Sequence, residues 1–213
     1  MLTTDILTTD NFQAICDLLI EKDKDLKGIV DLYGYPPFWT RPNNFATLVL
    51  TILEQQVSLA SAYAAYTRLK EKLEDITPES LLNLTDEELR SCYFTRQKIS
   101  YTRGLATVLI SNEINLENME LLPDETVRAQ LKNLKGIGDW TVDIYLIHAL
   151  KRTDIFPTGD LALVNAVRMI KVDKSLTKEA ILQLSLPWKP YRSVATMIFW
   201  HYYIKKRNIK LLH

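Results

Sequence analysis

Leu134-Lys135-Gly136-Ile137-Gly138-Asp139-Trp140-Thr141 is the stretch that decides the fold, and it separates two segments with helical periodicity. Two glycines that flank one apolar residue predict a tight turn, because glycine adopts backbone conformations closed to other residues. The helix after such a turn begins with amide N–H groups that lack intrahelical partners and bind phosphate readily. The stretch therefore predicts a helical hairpin in which the amides after Gly136 and Gly138 hold a phosphate, with Lys135 beside them.

A second feature follows one helix's length later, where Phe156-Pro157-Thr158-Gly159-Asp160 places a carboxylate just before a helical segment. Aspartate is a common helix cap, so we expect Asp160 to cap the helix that starts with Leu161. A carboxylate here also suits an electrostatic catalyst facing developing positive charge, and one residue can fill both roles. A glycine turn between helices is equally common as simple packing, so neither feature alone establishes a function.

Helix signals recur along the whole chain, while strand signals are nearly absent. The segment from Lys24 onward is expected to lead into a loop, since three prolines between residues 36 and 42 stop any helix. These patterns predict an all-α protein of about ten short helices that pack through amphipathic faces. The predicted helices span residues 10–19, 45–54, 58–73, 95–110, 124–133, 139–150, 158–170, 178–184 and 190–206, with further starts at a Thr77-Pro78 cap and a Thr85–Glu88 capping box.

The charge balance excludes a chain-wide basic field, because 26 Lys and Arg residues are matched by 26 Asp and Glu residues. Any nucleic-acid surface must therefore be local, since phosphate contacts depend on positive charge. The two cysteines, Cys16 and Cys92, resemble neither a disulfide framework nor an iron–sulfur site, and we expect both to be reduced packing residues. No secretory signal and no apolar run of about 18 residues is visible, so the sequence predicts an intracellular protein without a membrane span.

Aromatic side chains form a further candidate set. If the hairpin grips nucleic acid, a pocket that stacks on a flipped base needs two or three aromatic faces, although most aromatic residues belong to the core. The aromatic set from which such a pocket could be built is Phe38, Trp39, Trp140, Tyr145, Trp188, Tyr191, Phe199, Trp200, Tyr202 and Tyr203. Gln55-Gln56 interrupts an apolar helix end, and its amides either satisfy backbone groups there or contact a ligand. The three histidines are scattered and predict neither a metal site nor a catalytic triad.

Taken together, the chain resembles the helix-hairpin-helix DNA glycosylase superfamily, and most closely the DNA-3-methyladenine glycosylase II family. The resemblance runs from about residue 24 to residue 203, and its motifs stand in the order and spacing of the family. The stretches that carry it are Ile52 to Ser58, Phe94 to Lys98 with Gly104-Leu105-Ala106, Leu134 to Thr141, Phe156 to Leu161, and Trp188 to Ser193.

The resemblance implies a single two-lobed catalytic domain over residues 1–213, with the active site in the cleft between the lobes. One helical lobe would cover roughly residues 44–155 and end in the hairpin. The second lobe would combine residues 1–43 with residues 156–213. The additional N-terminal domain of the larger bacterial members is not expected.

The resemblance also implies roles for individual residues. Asp160 matches the catalytic aspartate of the family, and Trp140 and Trp200 match aromatic residues that line the base pocket. Tyr145 lies one position from a pocket tyrosine whose own place here is Ile144, and with Phe38 and Trp39 these residues make up the expected base pocket. Leu161 and His201 stand where relatives often carry tyrosines. The residue that plugs the gap left by the flipped base is expected near Thr95 or Arg96. The residues expected to contact DNA are Gln56, Ser58, Thr95, Arg96, Lys135, Gly136, Ile137, Gly138, Asp139 and Thr141.

Cofactor expectations follow from the same resemblance. The hairpin of this superfamily often holds a monovalent cation, which the backbone carbonyls of Lys132, Leu134 and Ile137 would bind here. Relatives that also cut the DNA strand carry a lysine where this chain has Trp140, and a lysine amine is what forms a Schiff base with the sugar. The chain is therefore expected to be monofunctional, with no iron–sulfur cluster and no cofactor for catalysis.

The resemblance thus implies a base excision repair enzyme that hydrolyses the N-glycosidic bond of alkylated purines such as 3-methyladenine and leaves an abasic site. Its partner would be double-stranded DNA containing alkylated bases, and it would act as a monomer in the cytoplasm or nucleoid of a bacterium or the nucleus of a eukaryote. The alternatives are a glycosylase for other damaged purines, a non-catalytic helix-hairpin-helix DNA-binding module, and a helical scaffold without DNA affinity.

Overall fold

The computed structural model describes residues 5–210, which are helical apart from connecting segments and one isolated bridge between Ile6 and Arg152. The all-α prediction is confirmed for this part of the chain. Its helices are α1 (Thr9–Lys22), α2 (Lys24–Tyr33), α3 (Phe45–Glu54), α4 (Leu59–Lys72), α5 (Pro78–Leu82), α6 (Asp86–Ser91), α7 (Arg96–Ile110), α8 (Leu116–Met119), α9 (Asp124–Lys132), α10 (Asp139–His148), α11 (Leu161–Ile170), α12 (Lys178–Leu184) and α13 (Arg192–Lys206), with a 3-10 turn over Leu186–Trp188.

Helix α2 was not predicted: the segment from Lys24 does lead into the proline loop, but ten residues of helix come before that loop. Asp23 caps α2 by accepting hydrogen bonds from the amides of Asp25 and Leu26. The helix buries Leu26, Ile29 and Val30, which recur at helical spacing. It ends at Gly34, whose φ of 77° is a conformation that glycine adopts at little cost.

The chain divides into two compact units, one formed by residues 5–40 with 146–210 and the other by residues 41–145. We call them unit 1 and unit 2. The sequence expectation had put the boundaries near residues 43 and 155, whereas the second boundary falls within α10. The reason lies in His148, whose ring stacks on Trp200 and bonds to the carbonyl of Trp39, both of which belong to unit 1.

Unit 1 is built around α13. Every residue of α13 from Ser193 to Tyr202 is buried, because helices α1, α2 and α11 all pack against it. A helix buried on all sides holds its side chains in single rotamers by close packing. Residues of α13 such as Trp200 therefore have a rigid base.

Unit 2 is built around α3, which packs against α4 and α7 and buries residues along most of its length. Its C-terminal end is fixed by two charged groups. Glu54 forms an ion pair with Arg41 at 2.6 Å, and the Lys98 ammonium donates to the Leu53 carbonyl at 2.6 Å. Burial lowers the pKa of Lys98. The loop that follows α3 therefore starts from a firmly held end.

The two cysteines of the chain, Cys16 and Cys92, are buried and unbridged, as expected. Burial raises the pKa of the Cys16 thiol to about 12, and the neighbouring charge of Asp17 acts in the same direction. Within residues 5–210, no helix combines the length and the apolar character that crossing a membrane requires.

Candidate active site

The glycine hairpin joins α9 to α10 within unit 2. Gly136 has a φ of +87°, and a Cβ atom at this position would overlap the ring of Tyr101. Both the backbone conformation and the close approach of Tyr101 therefore require glycine at residue 136. Gly138 is different, because a Cβ atom there would meet no atom within 4 Å.

The amides of the hairpin divide into two groups, and this corrects one expectation. The N–H of Ile137 donates to the Leu134 carbonyl at 3.1 Å, so the amide after Gly136 closes the turn instead of facing a ligand. The first intrahelical bond of α10 runs from the Val142 N–H to the Gly138 carbonyl at 3.1 Å. The amides of Gly138 and Asp139 precede this bond on exposed residues, which is the usual position of an anion-binding helix end.

Charged side chains surround this helix end. The Asp139 carboxylate pairs with Lys132 at 2.8 Å and with Arg128 at 3.3 Å, and the hydrogen bond from Lys132 holds the pKa of Asp139 below its usual range. Arg128 also pairs with Asp143 at 2.6 Å. The positive charges of Lys132 and Arg128 are thus balanced by carboxylates. Lys135, on the exposed turn, is the predicted DNA contact that brings net positive charge to this helix end.

Gln55 reaches the hairpin from the end of α3, a contact that the sequence analysis left open. Its amide nitrogen donates to the Gly136 carbonyl at 2.8 Å and to the Thr141 hydroxyl at 2.9 Å. Gln55 thus satisfies protein groups, whereas Gln56 is exposed with a φ of 57°. In the sequence, Gln55 and Gln56 stand out because two polar amides follow the apolar run of α3.

The remaining predicted DNA contacts of unit 2 lie at helix starts. Ser58 caps α4 by accepting from the Ser61 amide, and Thr95 caps α7 by accepting from the Lys98 amide. Arg96 is the first residue of α7 and is exposed. Thr141 is buried, and its hydroxyl is the acceptor of the Gln55 bond. Their contact with DNA stays a prediction.

Asp160 lies in unit 1, where it caps α11 as expected. Its Oδ1 atom accepts from the Leu163 amide at 2.8 Å and from the indole nitrogen of Trp200 at 3.0 Å. The side chain is half-buried, next to the exposed Leu161. The carboxylate is therefore held from two directions, by the backbone of α11 and by a side chain of α13.

Behind Trp200 stands His148, which the sequence analysis did not assign. The two rings stack with centroids 5.4 Å apart and planes 14° apart, and His148 Nδ1 lies 2.9 Å from the Trp39 carbonyl oxygen. The ring of Trp39 in turn faces His201 at 6.3 Å. Three predicted site residues, Asp160, Trp200 and Trp39, are thus connected within unit 1 through His148. A polar residue within the apolar run at the end of α10 was its only sequence signal.

The other aromatic candidates have separate surroundings. Phe38 is half-buried in unit 1 and stacks on Phe12 at 4.8 Å. Trp140 is half-buried at the start of α10 in unit 2.

The assignment of Tyr145 to the base pocket is corrected by the structure. Tyr145 is fully buried, and its hydroxyl donates to Asn43 Oδ1 at 2.5 Å. A side chain with no exposed surface has no face to offer a base, so Tyr145 belongs to the core.

The predicted cation site consists of neutral oxygens, namely the carbonyls of Lys132, Leu134 and Ile137. Such oxygens suit hard cations, and the Leu134 carbonyl, which accepts from the Ile137 amide, keeps a second lone pair. The donor set therefore fits the expected group. Over residues 5–210, no cluster of three or more His, Cys, Asp or Glu side chains is arranged to hold a metal ion.

With this geometry, the chain matches the family model described as HhH-GPD superfamily base excision DNA repair protein over residues 49–190. The chain belongs to this superfamily, which confirms the resemblance seen in the sequence.

Among proteins, the chain is similar to DNA-3-methyladenine glycosylase 1 of Schizosaccharomyces pombe, at 31% identity over 84% of this chain and 82% of the relative. It is also similar to DNA-3-methyladenine glycosylase of Bacillus subtilis, at 28% identity over 75% of this chain and 57% of the relative. The chain thus spans less than two thirds of the length of that Bacillus protein. Among solved structures, Schizosaccharomyces pombe 3-methyladenine DNA glycosylase in complex with abasic DNA matches with a TM-score of 0.81 and 28% identity, over 96% of this chain and 100% of that chain.

Proposed function

We propose that the protein is a monofunctional DNA glycosylase that hydrolyses the N-glycosidic bond of alkylated purines, such as 3-methyladenine, in duplex DNA. The observation that supports this most directly is the Asp160 carboxylate, which two donors orient at the start of α11. The similarity to DNA-3-methyladenine glycosylase 1 of Schizosaccharomyces pombe extends over most of both chains and supports the same substrate class.

In the proposed reaction, Asp160 stabilises positive charge on the sugar. The bond between C1′ and the base nitrogen breaks, and its electron pair leaves with the base, which neutralises the charge of an alkylated purine. C1′ gains oxocarbenium character, and a water molecule adds there and releases its proton to solvent, by analogy with glycoside hydrolysis. A carboxylate held in place before the reaction is the group that favours this charge.

Stacking is the proposed basis of base selection. Trp39 is half-buried and is the candidate aromatic face in unit 1, because Trp200 is buried with one face against His148. Electron-poor cationic bases gain from such a face through cation–π attraction. Extrusion of a base costs a few kcal/mol, and stacking offsets part of that cost. This proposal favours cationic alkylated purines over normal bases.

The hairpin is proposed to hold the DNA backbone without reading its sequence. The amides of Gly138 and Asp139 face a phosphate, with Lys135 beside them. A monovalent cation, held by the carbonyls of Lys132, Leu134 and Ile137, would add positive charge there. A protein that acts on chromosomal DNA works where the DNA lies, in the nucleoid of a bacterium or the nucleus of a eukaryote.

No amine for strand cleavage is available at residue 140, because tryptophan stands there. We therefore propose that the product is an intact abasic strand. Methylated duplex DNA treated with the protein is expected to break only after hot alkali, and breaks without alkali would point to a lyase.

The decisive variant is Asp160→Asn, which keeps the size of the side chain and removes its charge. We expect at least about 100-fold slower base release, because the electrostatic contribution to the transition state is lost. Affinity for abasic DNA should be equal or greater, since a negative charge near phosphates is gone. Release and binding are measured by alkali-revealed breaks and by fluorescence anisotropy.

A matched control is Asp23→Asn. Asp23 also caps a helix and also accepts from an indole nitrogen, that of Trp188 at 2.8 Å. The control is expected to lose stability but to release bases at the normal rate. Normal release by Asp160→Asn would reject the proposed function, and binding without any release by the wild-type protein would favour a DNA-binding module.

A further inference from the structure

We propose that Trp200 and His148 are positioning residues that hold the Asp160 carboxylate in its reactive orientation. The proposal rests on the proposed function, in which Asp160 stabilises the sugar cation. It follows a continuous series of contacts within unit 1, from the Trp39 carbonyl to the His148 ring, from that ring to Trp200, and from Trp200 to Asp160.

The first contact fixes the imidazole. A carbonyl oxygen only accepts hydrogen bonds, so His148 Nδ1, 2.9 Å from the Trp39 carbonyl, carries the hydrogen and donates it. The His148 side chain is also buried, which restricts its rotamers. The ring therefore presents a fixed face to its neighbour.

The second contact, the stack of His148 on Trp200, fixes the orientation of the indole ring. The planes of the two rings differ by only 14°, so the imidazole covers one face of the indole and sets its tilt. The backbone of Trp200 lies in the fully buried part of α13, so the side chain is held at its Cα atom by the helix and at its ring by His148. The direction of the indole N–H bond is fixed as a result.

The third contact sets the carboxylate. Oδ1 of Asp160 accepts both the Leu163 amide and the Trp200 indole N–H, which approach from different helices. A single cap bond leaves a carboxylate free to rotate about it, whereas two donors on one oxygen define the plane. Because a misplacement of about 1 Å can cost about 100-fold in rate, this definition matters for catalysis.

An internal comparison shows what is particular to this pair. Trp188 donates to the capping residue Asp23 at 2.8 Å, so an indole–aspartate bond by itself is also a structural device in unit 1. Trp188 contacts the rings of Phe156 and Phe199 at steep tilts of 56° and 50°. The parallel stack on a histidine distinguishes Trp200, and the Trp188 pair provides a control of identical chemistry.

The first test replaces each tryptophan by phenylalanine. Trp200→Phe keeps an aromatic ring beside His148 but removes the donor to Asp160, and we expect single-turnover base release to fall about tenfold or more. Trp188→Phe removes the equivalent donor to Asp23 and should leave the rate unchanged, with a similar drop in melting temperature. Equal rates for Trp200→Phe and the wild type, or equal losses in both variants, would overturn the proposal.

The second test concerns His148, which is proposed to act on Asp160 through Trp200. His148→Ala removes the stack and should slow single-turnover release about tenfold, with unchanged affinity for abasic DNA. His148→Phe restores the stack but not the bond to the Trp39 carbonyl, so its rate should lie between those of His148→Ala and the wild type. A folded His148→Ala variant that releases bases at the wild-type rate contradicts the proposal, as does a His148→Phe variant as slow as His148→Ala.

A readout independent of activity separates this proposal from the proposed function. The indole N–H resonance of Trp200 in an NMR spectrum should shift in His148→Ala and in Asp160→Asn, while that of Trp188 shifts in Asp23→Asn only. Absence of base release by the wild-type protein would reject the proposed function and, with it, the catalytic role of Trp200 and His148. Normal wild-type release together with an unmoved Trp200 resonance would reject the positioning role alone.

Discussion

The amide nitrogen of Gln55 joins two segments of unit 2 that are far apart in sequence. It donates to the Gly136 carbonyl and to the Thr141 hydroxyl, so it connects the loop after α3 with both sides of the hairpin turn. These two bonds fix the loop after α3 relative to the hairpin turn. Both segments contain predicted DNA contacts, so Gln55 also sets the spacing between those contacts. The role of Gln55 is thus to donate hydrogen bonds within the protein, not to contact DNA.

Gln55→Glu tests this connection, because a carboxylate cannot donate to the Gly136 carbonyl that the Gln55 amide now faces at 2.8 Å. We expect a loss of about 1–3 kcal/mol in the free energy of unfolding, the usual cost of unsatisfied buried polar groups. The measurement is chemical denaturation at neutral pH.

The control for this prediction is Gln56→Glu, which makes the same change on the exposed neighbour. It should alter the unfolding free energy by less than about 0.5 kcal/mol, as surface substitutions usually do. Equal losses in the two variants would show that the Gln55 amide is not a structural contact.

At the level of single residues, the sequence predicted what depends on local chemistry. Asp160, Thr77 and Thr85 are helix caps, as their residue types and spacing indicate. The burial of Tyr145 and the stack of His148 on Trp200 depend on partners distant in the chain. Periodicity carries no information on such partners, so these two residues were misassigned or left unassigned.

Among the elements, the hairpin makes the strictest demand on its sequence. Gly136 needs both a positive φ and room for the Tyr101 ring, whereas Gly138 has neither constraint. The two glycines look equivalent in the sequence, and only the structure separates them. One maintains the turn, and the other leaves the start of α10 open.

Gly136→Ala is therefore expected to destabilise the protein by about 2 kcal/mol or more, from backbone strain and overpacking together. Its affinity for duplex DNA should fall as the turn deforms. Gly138→Ala, the matched variant, should cost less than about 1 kcal/mol. Thermal unfolding and fluorescence anisotropy measure the two effects, and a smaller loss for Gly136→Ala than for Gly138→Ala would contradict this account.

Helix boundaries were predictable where a cap marks them. Helices α5 and α6 start directly after the capping residues Thr77 and Thr85 seen in the sequence. Helix α11 starts at Leu161, directly after the predicted cap Asp160, so of the two starts given by the sequence the cap and not the wider range 158–170 is right. Helix α2 was missed because the prolines that follow it dominated the interpretation of the segment, although Asp23 and the spacing of Leu26 and Ile29 were visible.

For the whole molecule, the balance of charge has a consequence for binding. A chain with 26 residues of each sign attracts DNA only through local groups, so individual cations should matter measurably. Lys135, on the hairpin turn, and Arg96, at the start of α7, are exposed at two of the places where DNA contact is predicted.

Lys135→Ala and Arg96→Ala are each expected to weaken duplex binding and to reduce the slope of log affinity against log salt concentration by about 0.9. Lys178→Ala, on the exposed start of α12, should change neither quantity. Anisotropy titrations over a range of salt concentrations provide the test. A wild-type slope near zero would be incompatible with phosphate contacts.

At this scale, helical periodicity was sufficient to predict the fold class, and the ordered motifs were sufficient to indicate the superfamily. The boundaries of the two units were harder to predict from the sequence. The boundary lies within α10, where His148 packs into unit 1, and a boundary inside a continuous helix leaves no mark in composition or periodicity.

The two shielded thiols make the native chain convenient for labelling. Thiolate is the form that reacts with maleimides, and the pKa of Cys16 is raised to about 12 while Cys92 is equally buried. A cysteine introduced at an exposed position such as Ser100 would then be the one reactive group at neutral pH. A fluorophore attached there would report encounters with damaged duplexes, without prior removal of either natural sulfhydryl.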